Sequence, residues 1–299
     1  VADDGVTQER VAVGERVLEV SLAGPEDGRP LVFHHGTPFP GVPPDDLLSA
    51  QHGRGLRTVA WARPGYAGST AQPDRTVAAV AADAGAVLDH LGLEEFVTVG
   101  WSGGGPHALA CATLLAGRCR GAAVLAGVGP TDTDDLDWTE GMGPENVEEF
   151  ALARAGGEPY RAYLASAAEA MAAASPAEQA ALVEGLLSPP DAALVAGPLA
   201  QWWTDSLQRG VSSGVEGWYE DDQAFMAPWG FDPAGTGVPV TLWQGTEDLM
   251  VPAAHGDWLA RRLPDVAYHR LQGEGHVSLV VAHYDEILDE LLSLAGWAP

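Results

Sequence analysis

Three residues of this chain have the types that nucleophilic catalysis needs: Ser102, Asp248 and His276. A serine hydroxyl is a poor nucleophile at neutral pH. It needs a base within hydrogen-bond reach, and the base needs a group that orients it. Ser102 lies in Gly100-Trp101-Ser102-Gly103-Gly104, which fits the pattern G-x-S-x-G. Glycines two before and two after the serine leave room for a sharp strand-to-helix turn that pushes Oγ outward. Asp248 follows in Gln244-Gly245-Thr246-Glu247-Asp248, and His276 in Gly273-Glu274-Gly275-His276. Ser, then Asp, then His is the chain order that accompanies this turn.

Each role has a rival. Glu247 adjoins Asp248. His269 and His283 compete with His276, but the first falls in a strand pattern and the second in a helical one. His107, one turn beyond Ser102, either touches the site or packs behind it. Acyl transfer also requires rigid donors for an oxyanion. The N–H of Gly103, next after the nucleophile, is one candidate. The other is the N–H of Thr37 in His34-His35-Gly36-Thr37-Pro38, since Pro38 has none.

The elements around these residues put them in suitable places. β-type runs at Arg10–Val13 and Arg16–Ala23 flank a Gly14-Glu15 turn. Further strand patterns fall at Leu31–His34, Thr58–Trp61, Phe96–Val99, Gly121–Leu125, Val238–Trp243 and Val266–Leu271. Helical spacing marks Thr76–Leu91, Pro106–Leu115, Ala253–Leu263 and Val280–Leu294. The alternation predicts an α/β fold with a mostly parallel, eight-stranded sheet flanked by helices. In such a sheet, ligand-binding groups gather beyond the carboxyl ends of strands. Ser102, Asp248 and His276 all fall there.

The rhythm changes at Pro130. From residues 130 to 231 there are helices and loops, rich in aromatics, with no strand pattern. Ser175-Pro176-Ala177-Glu178 is a capping box with proline at the first helical position. The segment reads as a helical cap inserted in a core of residues 1–129 and 232–299. Trp101, His107, Trp202 and Trp203 are the candidate pocket residues.

Composition narrows the classes. At 299 residues, 46% hydrophobic and 19% charged, the chain can bury a sizeable core. The net charge of −27 repels phosphate backbones and anionic lipids, so neither nucleic acid nor a membrane surface is an expected partner. All 15 basic residues are Arg. That excludes a Schiff-base lysine and a P-loop lysine. With abundant Ala, Gly and Pro, it suggests a GC-rich bacterial genome of actinobacterial type. Cys111 and Cys119 match no zinc pattern and are expected to be structural. The start, Val1-Ala2-Asp3-Asp4-Gly5, is polar and acidic, unlike a signal peptide, and without an initiator Met it is compatible with trimming. No apolar run approaches the roughly 18 residues that span a bilayer. A cytoplasmic location is expected.

The motifs resemble the α/β-hydrolase superfamily over nearly the whole chain. His35-Gly36-Thr37-Pro38 is similar to that family's oxyanion loop. Arg63-Pro64-Gly65-Tyr66-Ala67-Gly68-Ser69 is similar to its R-P-G-x-G-x-S loop, with Ala67 in place of a glycine. The resemblance implies an esterase-like serine hydrolase with no cofactor or metal. The aromatic-rich cap suggests an apolar, small to medium substrate. Serine at position 102 departs from the aspartate of haloalkane dehalogenases and epoxide hydrolases. The oxyanion loop lacks the HGGG of some lipases and the HGGPG of proline iminopeptidases. Lactone, thioester, amide and carbon–carbon hydrolysis, and cofactor-free perhydrolysis, would use the same machinery. A ligand-binding protein that keeps the fold without catalysis is the competing class. Oligomeric state is left open by the sequence.

Overall fold

The computed structural model describes residues 5–297, so Val1–Asp4, most of the acidic start, lie outside the described residues. Two strands, β1 (Thr7–Val13) and β2 (Arg16–Ala23), form the opening hairpin. Then come β3 (Arg29–His34), helix α1 (Asp45–Gly53), β4 (Leu56–Trp61), α2 (Val80–His90), β5 (Phe96–Trp101), α3 (Gly104–Leu114) and β6 (Cys119–Leu125). Six helices follow: α4 (Pro144–Ala155), α5 (Gly157–Ala173), α6 (Pro176–Leu182), α7 (Pro189–Val195), α8 (Ala200–Val211) and α9 (Glu216–Met226). The chain closes with β7 (Val240–Gly245), α10 (Ala253–Arg262), β8 (Val266–Leu271) and α11 (Ser278–Leu294).

The eight strands form one sheet in the order β1-β2-β4-β3-β5-β6-β7-β8. β2 runs antiparallel to β1 and β4, and every pairing from β4 to β8 is parallel. Every residue of β5 and β7 is buried, as strands covered on both faces must be. Helices α2, α3 and α10 contribute to the hydrophobic cluster that includes Val32, Val59 and Val124; α1 and α11 contribute to the one that includes Leu31, Val97 and Leu125. The helices between β6 and β7 bring their own cluster, in which Tyr160, Leu164, Trp218 and Tyr219 pack on Ala62 and Tyr66.

Local details differ from the sequence reading. The helix marked from Thr76 begins instead with a short 3-10 turn at Val77–Ala79, and α2 itself starts at Val80. Helix α1 was not anticipated: it buries only Leu47, Leu48 and Gln51, too few apolar positions for a periodic signal. Cys111 and Cys119 are free and buried. No helix among the described residues is long and apolar enough to cross a membrane.

Candidate active site

Ser102 occupies the turn from β5 into α3 with φ = 58°, a conformation that costs a non-glycine residue energy and marks a constrained position. Its N–H donates to Leu125 O on the neighbouring strand (2.8 Å), and its carbonyl accepts from Gly105 N–H (2.8 Å). The motif's glycines are needed for contact. A Cβ on Gly100 would fall against Gly104 O, and one on Gly104 against His34 O. The turn is therefore pressed onto the end of β3, beside the His34–Pro38 loop.

Asp248 follows β7 and His276 follows β8. His276 Nδ1 lies 2.8 Å from Asp248 Oδ2. A carboxylate only accepts, so Nδ1 carries the proton and Nε2 is the free, basic nitrogen. Asp248 is fixed in turn: its Oδ1 accepts the N–H groups of Met250 (2.9 Å) and Val251 (2.8 Å). His276 is buried, its ring stacked on Trp101 at 6.2 Å, and its carbonyl accepts from Trp101 Nε1 (3.2 Å). Burial opposes its charging, but the charge and hydrogen bond of Asp248, joined by the charge of Asp191, raise its pKa above the ordinary histidine value. Its neighbours behave oppositely. Burial, then Arg63, lowers His34 to about 3 and holds His35 and His107 well down.

Ser102, Gly36, Thr37 and His276 line one cavity of about 50 Å³, with Trp101, Trp202 and Trp203 in its wall. Ser102, Gly103 and Thr37 also line a larger cavity of about 190 Å³ that extends beneath α4, α5 and α8. Neither the Thr37 N–H nor the Gly103 N–H donates to another protein group among the described residues. The two residues are adjacent: a Cβ on Gly103 would lie 2.7 Å from Thr37 Oγ1.

The structure thus gathers Ser102, Asp248, His276, Thr37, Gly103, Trp101, Trp202 and Trp203 into one region. Trp202 stacks on Trp101 at 6.1 Å, and Phe39 sits against both Trp202 and Trp203. His107 lies elsewhere. Its Nδ1 faces Gly103 O (2.8 Å), and its ring lines a separate small cavity with Gln72, Arg75 and Asp83. Of the rivals, His269 bonds Glu290 and His283 bonds Glu286, both away from the cavities.

A buried charge cluster behind the Thr37 loop escaped the sequence reading. Asp221 on α9 accepts from Thr37 Oγ1 (2.8 Å), Tyr66 O–H (2.9 Å), Nε and Nη2 of Arg63, and Arg75 Nη2. Arg63 also donates to the carbonyls of His35 (2.5 Å) and Gly36 (3.3 Å). One guanidinium therefore holds the loop's carbonyls while its counter-ion holds the loop's hydroxyl. Helix α9 reaches this depth because Gly217 lies flat on the Tyr66 ring, where a Cβ would come within 2.6 Å. Among the described residues, no cluster of three His, Cys, Asp or Glu side chains is suited to a metal ion.

With a mostly parallel eight-stranded sheet and a serine on a strained turn at its centre, the class is defined. A family model for the alpha/beta hydrolase fold matches residues 29–282, and the chain belongs to that family. A non-heme haloperoxidase from Rhodococcus erythropolis is 30% identical over 243 residues, 76% of this chain and 78% of that one. A bromoperoxidase structure from Bacillus anthracis superposes with a TM-score of 0.68 at 19% identity, over 97% of this chain and 99% of that one. An esterase structure from Rhodococcus sp. ECU1013 gives 0.68 at 20% identity, over 97% and 99%. At such identities the two structures speak for the fold alone.

Proposed function

We propose that this protein is a serine hydrolase that cleaves a carboxylic ester or related acyl bond through Ser102, His276 and Asp248. The observation that carries the reading is one arrangement: Ser102 on its strained turn shares a cavity with His276, whose far nitrogen is bound to Asp248 at 2.8 Å. His276 Nε2 takes the hydroxyl proton as Ser102 Oγ attacks the carbonyl. Asp248 keeps the ring oriented and favours its charged form. The N–H groups of Thr37 and Gly103 receive the oxyanion. The leaving group departs with the proton from His276, and water, deprotonated by the same nitrogen, releases the acid.

The helices of residues 130–231 act as the cap, and the larger cavity beneath them as the acyl pocket. Its walls include Val128, Phe150, Met171, Leu207 and Phe225, which favour an apolar acyl chain. A fluorophosphonate probe followed by mass spectrometry tests the reading. The adduct should fall on Ser102 and vanish in Ser102→Ala, while folded protein that takes no adduct there overturns it.

The haloperoxidase relative at 30% identity favours a second reading on the same machinery. Hydrogen peroxide instead of water would attack the acyl-enzyme, giving a peracid that then oxidises halide to hypohalous acid and returns to the carboxylic acid. Bromide oxidation that requires both peroxide and a carboxylic acid, and is lost in Ser102→Ala, would select it.

A further inference from the structure

Asp191 is a fully buried acid far in sequence from every residue discussed above as catalytic, and it lies on α7 of the helical block. Its carboxylate is saturated by the backbone that carries His276. Oδ2 accepts the N–H of His276 (2.8 Å), and Oδ1 accepts those of Val277 (2.9 Å) and Ser278 (2.8 Å). Ser188 Oγ completes the set by donating to Oδ2 (2.9 Å).

Ser278 opens the 17-residue helix α11, so Asp191 satisfies the free N–H groups at that helix start from another part of the chain. Local caps come from the helix's own flank. Here the cap position is Val277, which has no side-chain acceptor, and the side chain of His276 before it is engaged with Asp248, so the acceptor is imported. The fit leaves no slack. A Cβ on Gly275 would collide with both the Asp191 carboxylate and Ser188 Oγ, which explains the glycine before the histidine.

The ring of His276 is therefore held by Asp248 and its backbone by Asp191. These two are the charged groups that face it, from the loop after β7 and from α7. We propose that Asp191 is a positioning residue for His276, supplied by the helical cap, and that it sets both the placement and the proton affinity of the base. This rests on the hydrolase reading above, because it gives His276 a base's task. A displacement of the base near 1 Å costs about a hundredfold in rate.

The test compares wild type with Asp191→Asn. Asparagine would turn an N–H donor toward backbone donors and remove a charge. Inactivation by a fluorophosphonate probe is followed against probe concentration and pH, and the His276 ring is titrated by NMR. The expected result is a maximal inactivation rate at least about tenfold lower, with unchanged probe affinity. The His276 pKa and the acid limb of the rate profile should both move to lower pH. A purely structural role would lower the active fraction without moving either pKa, and that outcome overturns the proposal, as does an unchanged rate. If Asp191→Asn does not fold, Ser188→Ala decides. It keeps the charge but frees the carboxylate to shift, and the inactivation rate should fall; no change overturns the proposal. Wild type that never labels at Ser102 overturns the hydrolase reading instead, and the NMR titration then judges Asp191 alone.

Discussion

Asp221 and Asp222 are neighbours on α9, both buried, and they meet opposite fates. Burial is the largest influence on each, and it pushes both toward the neutral acid. Asp221 faces the sheet, where Arg63 and Arg75 overcome that push and hold it well below the ordinary carboxylate range. Asp222 faces the helical block, where Glu149 adds a like charge and Tyr160 O–H donates to it. Asp222 is held well above its ordinary value, and Glu149, half-buried with Trp218 Nε1 at 2.6 Å, is raised to about 7. The partner, not the depth, decides which acid keeps its charge. One side of the helix is an ionic anchor, and the other is a pair of carboxyls that resist charging together.

The difference can be broken most forcefully at Asp221. Asp221→Asn leaves Arg63 and Arg75 buried without a counter-charge, a loss of about 3–5 kcal/mol in unfolding free energy. Denaturant titration measures it, and a loss no greater than that of Asp222→Asn would erase the distinction.

The pH dependence sharpens it next. Asp221 sits below its ordinary value of about 4, so its contribution is complete above that pH and drains away below it. Asp222 and Glu149 sit above theirs, so their contribution is complete below about 4 and is lost as pH rises, for Glu149 through about 7. Thermal unfolding should thus show a maximum at about pH 4, where the first contribution is complete and the second has not begun to decline. Glu149→Gln should flatten the upper limb and leave the lower one; an unaltered upper limb would refute the coupling of the two carboxyls.

The smallest effect is expected for Asp222→Asn at neutral pH. The amide still accepts from Tyr160 and donates to Glu149, so stability should change by less than about 1 kcal/mol. A larger loss by the same denaturant titration would mean that Asp222 carries a charge the fold uses.

Much of the core was legible because its signals are local. β5 and β7 are apolar runs buried on both faces, and G-x-S-x-G states its own turn. Strand order then placed Asp248 and His276. The helical block was not legible in that way. Asp191, Asp221 and Asp222 read as three more acids in a chain of net charge −27, where a solvated face is the ordinary reading. Their burial depends on partners 85, 158 and 62 residues away in sequence, which no local pattern encodes. Arg63 was visible as part of a motif, but its counter-ion was not. His107 seemed able to reach the site from its spacing on α3, and its bond to Gly103 O turns it away.

The two ties described above also bear on how the molecule comes apart. Asp191 binds α7 to the start of α11, and Asp221 binds α9 to the loops after β3 and β4. Opening free energies follow the interactions that must break, not the boundaries of the chain segment. Helices α7 and α9 therefore belong to the same cooperative unit as the sheet. Helix α6, in which only Gln179 is buried, has no such tie among the described residues. The line between what stays and what loosens runs through the helical block itself, not along its junctions at Pro130 and Phe231.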